Sequence, residues 1–542
     1  MAQTKAKKSK GAKNYSMIIL IIAIVLVSAL TVFVIVDGAL QSTNLLKDKA
    51  LISAVSSILD KFPANISQSD LDKVRVLYLS SDIEYMEEGY YGISGYTLAF
   101  GYDEAYDFLK KQEDDREANR YNEEADTENT ENTEEDANAQ TLEDLLVYTS
   151  SSDNIKDFSS LSLFKNVEYL FISGPDLEYL TLISMYGYGV DTSNNPLKDL
   201  KNFKFVEEMK SLKSVSIVNI SATDFSPIGN NSSIKNLTVQ YCNVDDASVF
   251  SNLTNLESLN IIRSNASDIS FVSSLVNLKG LYMIGNTITD ISPVANLTKI
   301  RDLAFGTNEI EDISVLSGLT ALENLYLSGN KIKELPDLSK LNSLKTVDLN
   351  TNEIEDASNI LSRSSMKSLN LESNKLTAID GIENCISLET LYINKNEIED
   401  ISALKNLTAL KNLYADENNI IDISSVSALT DLTVLSLKSN QIADVSPLLT
   451  LEKLTDLSLD QNLIEDFEPL NVLTELGATI TGADNQFPDS GDESDESDET
   501  DESDETDEET EDTAEENTEN NTEEVSEEET EESEKPEENI ED

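Results

Sequence analysis

The stretch that decides the fold is LENLYLSGNKI, residues 322–332, which returns one repeat later as LKTVDLNTNEI, residues 344–354. Its apolar positions and its asparagine recur at intervals of 22 residues. The asparagines of this column are Asn286, Asn308, Asn330, Asn352, Asn374, Asn396, Asn418, Asn440 and Asn462. A fixed period of about 20 to 50 residues is the signature of a solenoid, in which each repeat buries its apolar face against its neighbours. The pattern therefore predicts stacked repeats that share one continuous core.

Each half of the repeat has a predicted structure. The apolar positions before the asparagine predict a short strand, and stacking of the repeats sets these strands side by side in a parallel sheet. The asparagine is expected inside the turn that follows, where its amide can bond backbone groups that the bend leaves unpaired. The second half reads Asp-Ile-Ser and is followed by proline in residues 290–293. We interpret the serine as the N-cap of a short 3₁₀ or helical turn.

These columns resemble the leucine-rich repeat family, specifically the 22-residue bacterial repeat of internalins. The resemblance implies a curved α/β solenoid, with the parallel sheet on its concave face and the short turns on its convex face. The same register continues towards the N-terminus, with Ser264, Cys242 and Ile220 in place of asparagine. We therefore predict regular repeats with a closing segment over residues 231–487 and degenerate repeats over residues 141–230.

The N-terminal residues combine a basic head with an apolar segment. Residues 1–16 carry five lysines and no acid, and residues 17–36 are uncharged. Twenty helical residues rise about 30 Å, the thickness of the hydrocarbon core, and lysines before such a span place the N-terminus in the cytoplasm. We expect a signal-anchor that holds the repeats on the outer side of a bacterial cell membrane. A cleaved secretory signal is the alternative, but the apolar run is longer than usual and Asp37 would lie within the cleavage site.

Two acidic segments account for much of the net charge of −64. Residues 489–542 contain 31 acids and one lysine, and residues 113–136 contain 12 acids and two arginines. Such chains cannot bury enough apolar surface to fold. We therefore predict a disordered insertion over residues 113–140 and a disordered acidic tail over residues 488–542. Residues 45–112 are predicted to form a helical cap and an irregular first repeat.

The composition excludes several classes of function. The chain has no histidine, which removes histidine-based catalytic triads and the usual zinc sites. The sequence shows no phosphate-binding glycine-rich loop, so we expect neither an enzyme nor a cofactor. The negative charge argues against nucleic acid as a partner. Cys242 and Cys385 fall in buried columns more than six repeats apart, which predicts core residues and no disulfide. The single aspartates of the Asp-Ile-Ser column lack the clustered oxygens that calcium requires.

The candidate binding surface is the concave side of the sheet. The residue between the two core positions of each strand points out of the sheet there. This column contains Tyr282, Tyr326, Asp348, Asn370, Tyr392 and Tyr414. Tyrosine on a rigid sheet offers ring area and a polar tip at low entropy cost, and the internalin resemblance implies that such side chains contact a partner. The alternative is that tyrosine merely tolerates a solvated sheet face.

The leading hypothesis is a non-enzymatic, monomeric cell-surface protein that binds a protein or glycan ligand through the concave face. The resemblance would also imply an immunoglobulin-like domain and a wall-sorting motif after the repeats, and neither pattern is found there, so we expect the N-terminal helix to be the anchor. The alternative is an envelope scaffold or charged spacer, in which the acidic tail matters and the concave face has no specific ligand.

Overall fold

The computed structural model describes residues 45–87, 90–119, 141–142, 145–176, 189–191, 195–361 and 363–481. The predicted basic head, the predicted membrane span over residues 17–36 and the predicted acidic tail over residues 488–542 lie outside these residues. Within the part of the chain that is described, no helix has the length and apolar character needed to cross a membrane.

Eighteen strands of the described residues form one sheet. The N-terminal part contributes β1 (Val76–Glu87), β2 (Tyr90–Gly101), β3 (Leu146–Ser151), β4 (Tyr169–Ser173) and β5 (Gly189–Asp191). The repeats contribute β6 (Ser214–Val218), β7 (Asn236–Gln240), β8 (Ser258–Ile262), β9 (Gly280–Tyr282), β10 (Asp302–Ala304), β11 (Asn324–Tyr326), β12 (Thr346–Asp348), β13 (Ser368–Asn370), β14 (Thr390–Tyr392), β15 (Asn412–Tyr414), β16 (Val434–Ser436), β17 (Asp456–Ser458) and β18 (Thr479–Thr481). From β6 to β18 the strands pair in parallel and in chain order. The predicted parallel sheet of stacked repeats is thus confirmed.

The helical elements are short. The described α-helices are α1 (Lys49–Leu59), α2 (Gln68–Leu71), α3 (Asp103–Asn119), α4 (Ser226–Gly229) and α5 (Glu468–Glu475). The described 3₁₀ turns are Pro63–Asn65, Phe158–Leu163, Lys204–Glu208, Ala247–Asn252, Ser270–Ser274, Ser292–Asn296, Ser314–Gly318, Ile382–Asn384, Ser402–Asn406, Ser424–Ala428 and Ser446–Thr450. The predicted short turn in the second half of the repeat is therefore present in most of the regular repeats.

The core lies between the sheet and these turns. The middle residue of each short strand from β9 to β17 is buried, as at Leu303 and Leu325, and so is an apolar residue in each 3₁₀ turn of the repeats, such as Leu316. Full burial of a leucine side chain contributes about 1.5–3 kcal/mol. Because this contribution recurs in every repeat, the sheet is held on its inner side along its whole length.

The serines of the Asp-Ile-Ser motif do not cap the turns. Ser292 and Ser314 are the first residues of their 3₁₀ turns, and the isoleucine before each occupies the N-cap position. The capping acceptor is the aspartate: Asp290 Oδ1 accepts from the Ser292 backbone N–H at 2.7 Å, and the same bond recurs at Asp312. This bond holds the pKa of Asp312 below its usual value. The predicted serine cap is wrong because a carboxylate accepts a backbone N–H bond more strongly than a neutral hydroxyl does.

The N-terminal part departs from a simple repeat. Strands β1 and β2 form an antiparallel hairpin, and β3 pairs antiparallel with β2. Strand β1 also pairs in parallel with β4, which pairs with β6 and so joins the hairpin to the repeats. Strand β5 returns to pair with β2. An antiparallel section therefore precedes the repeats, although its leucine spacing alone predicts strands without predicting their partners.

The helical cap is tied to the first repeat by one carboxylate. Asp48 Oδ1 accepts from the Ala50 backbone N–H at 2.9 Å and caps helix α1. Its second oxygen, Oδ2, accepts from the Lys156 backbone N–H at 2.9 Å. Helix α1 buries Leu51 and Val55, both on the face that the sequence predicts to be apolar.

Helix α3 extends into the segment for which we predicted a disordered insertion. Residues 113–119 belong to this helix, so the insertion does not begin at residue 113. Glutamate, lysine, glutamine and arginine have good helix propensity, and a high charge alone therefore does not end a helix whose first turn is packed. Residues 120–140 lie outside the described residues.

The two cysteines are free thiols in the core, as predicted. Burial raises the pKa of the Cys242 thiol to about 11 and also raises the pKa of Cys385. Cys385 Sγ lies 3.5 Å from the Arg363 backbone nitrogen and accepts its hydrogen bond. Both thiols are thus protonated packing residues at neutral pH.

Candidate ligand-binding face of the sheet

The six residues predicted to bind a ligand lie in one row across the sheet, which we call the central row. In the strand pairing, Tyr326 lies opposite Asp348, which lies opposite Asn370, and the row continues to Tyr392 and Tyr414 in the same register. The row also includes Tyr282, two strands before Tyr326. Each of these side chains is partly exposed, because the buried middle residue of the strand points the opposite way.

The structure brings two of the four tyrosines into contact. The rings of Tyr392 and Tyr414 stack with their centroids 4.6 Å apart and their planes within 4°. This separation matches the spacing of neighbouring strands, about 4.8 Å. Partial burial, followed by the nearby charges of Tyr392 and Asp456, raises the pKa of Tyr414. The Tyr414 hydroxyl therefore remains a hydrogen-bond donor throughout the physiological pH range.

The other two tyrosines stand apart from this pair. Tyr326 is three strands from Tyr392, a separation of about 14 Å. The ring of Tyr282 lies over its own strand, since a Cβ atom added at Gly280 would come within 2.8 Å of Tyr282 Cε2. Glycine at that position makes room for the ring. The structure thus places all four tyrosines in one row and makes a single stacked pair of them.

The two polar members of the row accept hydrogen bonds from residues just after their own strands. Asp348 Oδ1 accepts from the backbone N–H of Asn350 at 3.1 Å and from its side-chain amide at 2.7 Å. Asn370 Oδ1 accepts from the Glu372 backbone N–H at 3.0 Å. Burial raises the pKa of Asp348, and the Glu372 carboxylate adds to the rise. These groups form a preorganised polar section between Tyr326 and the tyrosine pair.

Acidic groups gather on one side of the central row, beyond the C-terminal ends of the strands. Asp416 Oδ1 accepts from the Ser436 hydroxyl at 2.6 Å and from the Lys438 backbone N–H at 2.7 Å. Glu372 precedes it in the same column, and Asp460 follows it. Within the described residues, no group of three or more histidines, cysteines, aspartates and glutamates could hold a metal ion. This side of the row therefore differs from the row itself in carrying several carboxylates.

The asparagine ladder fixes the turn after each strand. In one repeat, Asn330 Nδ2 donates to the carbonyls of Phe305 and Leu327, both at 2.9 Å. Its Oδ1 accepts from the Ile310 backbone N–H of the preceding repeat at 3.0 Å. The side chain is buried and satisfies three backbone groups that a tight bend leaves open. Corresponding bonds occur at Asn286, Asn308, Asn352, Asn374, Asn396, Asn418, Asn440 and Asn462.

The structure adds two aromatic residues to the row that the 22-residue column did not include. Tyr78 lies opposite Phe171, which lies opposite Ser216 in the same register. The two rings are 6.2 Å apart, and both side chains are partly exposed. A signal was present in the sequence, because Tyr78 is flanked by the core residues Leu77 and Leu79 as every member of the row is flanked. Because the 22-residue period is interrupted between β4 and β6, the spacing did not align Tyr78 and Phe171 with the central row.

A charged column at the other end of the strands also went unnoticed. The residue immediately before each of the repeat strands β6 to β15 is charged, and each glutamate of this column lies between two cations. We call these groups the triads. They are Arg75, Glu168 and Lys213; Lys235, Glu257 and Lys279; Arg301, Glu323 and Lys345; and Lys367, Glu389 and Lys411. The last ten of these residues, from Lys213 to Lys411, are spaced by 22 residues, and this column could have been found from the sequence.

Comparison with known proteins supports the repeat assignment. The family described as "Leucine Rich repeats (2 copies)" matches residues 320–362, 364–406, 408–449 and 430–472. No curated protein sequence matches the chain closely enough to count as a relative.

Solved structures give the same result. The chain is 32% identical to an internalin, inlF, from Listeria monocytogenes, over 51% of this chain and 88% of that chain, with a TM-score of 0.48. It is 28% identical to internalin C2 of the same species, over 43% and 83% of the two chains, with a TM-score of 0.31. A leucine-rich repeat protein of Leptospira interrogans is 18% identical over 60% and 80% of the two chains, with a TM-score of 0.51, and shares the fold.

The asparagine ladder, the parallel sheet and the four matches to the leucine-rich repeat family between residues 320 and 472 lead to one assignment. The chain belongs to the leucine-rich repeat family, with repeats of the internalin-like bacterial type.

Proposed function

We propose that the protein is a non-enzymatic recognition protein that binds a partner protein through the central row, with the stacked pair Tyr392 and Tyr414 at the centre of the contact. The stacked pair is the observation that carries the proposal. Two aromatic rings that are already ordered lose little side-chain entropy when a partner covers them. Tyrosine is also among the residues that contribute most to binding energy at protein interfaces.

The orientation of the rings favours a protein over a glycan. A sugar ring packs best on an open aromatic face, but the inner faces of Tyr392 and Tyr414 cover each other at 4.6 Å. The neighbouring strands place Asn370 and Ser436 beside the outer faces. What the pair presents to solvent is therefore its ring edges and hydroxyl groups, which suit a partner with apolar side chains and carbonyl acceptors.

The repeat architecture supports the proposal by keeping the row rigid. Each tyrosine follows a buried middle residue of its strand, and each strand ends in a turn held by a ladder asparagine such as Asn396 or Asn418. A surface that does not rearrange on binding avoids an ordering cost of about 0.5–1.5 kcal/mol for each side chain. The scaffold thus suits recognition of a defined partner.

We extend the proposal to the location of the repeats. The basic head and the apolar run over residues 17–36 indicate an anchor with the repeats on the outer side of the membrane. Brief protease treatment of intact cells tests this part separately. We expect loss of the repeats and survival of a short membrane-bound fragment, whereas protected repeats would contradict the location.

The binding proposal is tested by selection followed by mutation. Binders would be selected from a displayed library of natural protein segments against the full chain, and their affinities compared on three proteins. The first is unchanged, the second carries Tyr392→Ala and Tyr414→Ala, and the third carries Tyr241→Ala. Tyr241 lies in a turn outside the central row, where its hydroxyl accepts from Arg263, and serves as the matched control.

We expect the selected binders to bind the double variant at least ten-fold more weakly, because about 1.4 kcal/mol corresponds to a factor of ten. The Tyr241→Ala control should keep its affinity within a factor of two. Binders that hold the double variant as tightly as the unchanged chain would contradict the proposal and would favour the alternative of a scaffold whose sheet face has no specific ligand.

A further inference from the structure

The triads carry an inference that goes beyond the central row. In the second triad, Glu257 Oε1 lies 2.7 Å from Lys235 Nζ, and Glu257 Oε2 lies 2.9 Å from Lys279 Nζ. The third and fourth triads repeat this arrangement with ion-pair distances of 3.3–3.8 Å. Each glutamate thus lies between two cations from the neighbouring strands. Every triad has a net charge of +1 in a strongly acidic protein.

The cations of the triads face solvent more than the glutamates do. In the third triad the side chain of Glu323 is 19% exposed, whereas those of Arg301 and Lys345 are 31% and 38% exposed. Hydrogen bonds from Lys235 and Lys279 lower the pKa of Glu257, so the central carboxylate stays ionised. The cations therefore form the more exposed part of each triad, and the glutamate that partly neutralises them lies deeper.

The opposite edge of the sheet shows that this arrangement is not general. There, the residues after five successive ladder asparagines alternate in sign from Glu309 to Glu397, and Lys331 Nζ lies 2.9 Å from Glu309 while Lys375 Nζ lies 2.9 Å from Glu353. This column has no excess of positive charge. The triad edge, on the side of the central row away from Asp416 and Asp460, differs from it in carrying such an excess.

The first triad shows what such a group binds, because helix α3 packs against it. The Arg75 Cζ atom lies 4.2 Å from the ring centroid of Tyr106, and Lys213 Nζ lies 5.3 Å from it. Arg75 Nη1 also contacts the Asp103 carboxylate at 3.0 Å. A carboxylate and an aromatic ring from the first turn of one acidic helix therefore engage both cations of the triad at once.

The surroundings of the second triad add further polar groups at the same edge. Lys299 Nζ donates to Asn277 Oδ1 at 2.7 Å, and both residues line a cleft with Lys235, Lys279 and Ser233. Ser232, Asn255 and the Glu257 carboxylate complete the lining of this cleft. Three lysines against one carboxylate leave a positive surface suited to carboxylate groups.

We propose that the second, third and fourth triads form a docking edge for an acidic segment of a partner protein, which binds as helix α3 binds the first triad, with carboxylates on the cations and an aromatic ring between them. The three triads repeat every third strand, so their centres are about 14 Å apart. An acidic helix of about 20 residues, roughly 30 Å long, would reach from one end of the edge to the other.

The test uses a fluorescent synthetic peptide with the sequence of helix α3 and measures its binding to the full chain by anisotropy. The triad variant carries Lys279→Gln, Lys345→Gln and Lys411→Gln, which remove one cation from each triad and leave each glutamate its other partner. The matched control carries Lys331→Gln, Lys375→Gln and Lys453→Gln, which remove the same total charge from ion pairs elsewhere. Thermal unfolding of both variants checks that they are folded.

We expect the triad variant to bind the peptide at least ten-fold more weakly than the unchanged chain and the control to stay within a factor of two. A peptide in which Asp103, Glu104 and Asp107, the acids among its first five residues, are replaced by amides should bind at least ten-fold more weakly. Equal losses in both variants, no loss in the triad variant, or no binding to the unchanged chain would each overturn the proposal. Tighter binding of heparin or polyphosphate than of the peptide would also overturn it, since the edge would then recognise a non-protein polyanion.

The Tyr392→Ala and Tyr414→Ala variant separates this inference from the proposed function. We expect it to bind the acidic peptide with unchanged affinity, because the tyrosine pair and the triads lie in different rows of the sheet. A loss that follows the tyrosines and spares the triad variant would overturn the docking edge and leave the central row as the recognition surface.

Discussion

One face of the sheet is covered by a helix in the N-terminal part and is exposed to solvent in the regular repeats. Beside β1 to β4, helix α3 lies against the sheet, and Val76, Ala99 and Tyr169 are buried in an apolar cluster that includes its residues Ala105 and Tyr106. Across the regular repeats from β11 to β17, the corresponding side chains, from Asn324 to Asp456, are partly or fully exposed. The fold thus contains an example of a helix bound to the sheet face, followed by a longer stretch of that face with the same register.

The two regions also differ in how their turns are held. In both kinds of repeat, the residue before the ladder position has a left-handed backbone conformation, as at Tyr241 with φ of 52° and at Thr351 with φ of 55°. From Asn286 onward an asparagine then satisfies three backbone groups, whereas the two preceding repeats have Cys242 or Ser264 there. The Ser264 hydroxyl contacts the same kinds of backbone group, with 2.8 Å to the Ile262 carbonyl, but the Cys242 thiol makes only weaker and longer contacts, 3.3 Å to the Gln240 carbonyl. Phenylalanines also pack from repeat to repeat there, with Phe203 and Phe225 5.2 Å apart and Phe225 and Phe250 6.2 Å apart. The bend is common to these repeats, and the side chain that bonds its backbone groups changes.

The largest expected effect comes from removing one rung of the ladder. Asn352→Ala leaves the carbonyls of Leu327 and Leu349 and the Ile332 backbone N–H without their partner. Each buried unsatisfied group costs about 1–3 kcal/mol, so the free energy of unfolding should fall by about 3–5 kcal/mol. Cys242→Ala, the equivalent change in an earlier repeat, should cost about 1 kcal/mol. Urea unfolding measures both, and equal losses would contradict the difference in turn stabilisation.

A second prediction compares two tyrosines on the sheet face. Tyr106→Ala removes the ring that contacts Arg75, Lys213 and Tyr169, and we expect a loss of about 2 kcal/mol with faster hydrogen exchange in helix α3. Tyr414→Ala removes a ring that is open on its solvent side, and we expect less than about 1 kcal/mol. If both changes cost the same, the tyrosines of the regular repeats would be structural and would not be reserved for a partner.

A third prediction concerns pH, because the two regions contain aspartates shifted in opposite directions. Lys61 Nζ at 2.6 Å and the Ser67 hydroxyl and backbone N–H hold the pKa of Asp70 well below its usual range. Its contribution to stability is therefore present above the unfolded pKa of about 3.9 and is lost as the pH falls through the folded pKa. Burial raises the pKa of Asp348, so its carboxylate opposes folding above that pKa.

These shifts give opposite effects of substitution at pH 7. Asp70→Asn should lower the free energy of unfolding at pH 7 and lower it by less at pH 2, whereas Asp348→Asn should raise it at pH 7. Urea unfolding between pH 2 and 7 provides the comparison. A destabilised Asp348→Asn protein at pH 7 would show that the carboxylate makes a favourable contact in the row.

The smallest expected effect lies in the left-handed residues of the turns. Glu417 has φ of 54°, whereas Gly329 occupies the equivalent position in another repeat with φ of 66°. Since a non-glycine residue costs about 1 kcal/mol in this region and glycine loses more entropy on folding, Glu417→Gly should stabilise the protein by a few tenths of a kcal/mol. A clear loss of stability in thermal unfolding would mean that the Glu417 side chain contributes more than its backbone strain.

The regular repeats could be predicted from the sequence because one spacing determines their pairing. Once Leu325 and Asn330 are aligned with their equivalents in the next repeat, the strand register and the central row follow. Helix α3 and the hairpin of β1 and β2 could not be predicted in this way, because their partners are set by tertiary contacts such as the one between Tyr106 and Arg75.

The candidate site was likewise predicted in part. The row that contains Tyr392 and Tyr414 follows from strand alternation, but the stacking of these two rings depends on side-chain packing between neighbouring strands. The triads were visible as a 22-residue column of charge. Their arrangement could not be predicted. Only the structure places each glutamate between two cations and packs helix α3 against the first triad.

The claim that the regular repeats keep their sheet face for a partner is tested most directly by site-specific cross-linking. A photoreactive amino acid would replace Asn370 in the central row in one protein and Lys405, on the 3₁₀ turn Ser402–Asn406, in another. With a selected binder, we predict cross-links from position 370 and none from position 405. Cross-links from position 405 alone would contradict the account and place recognition on the opposite side of the repeats.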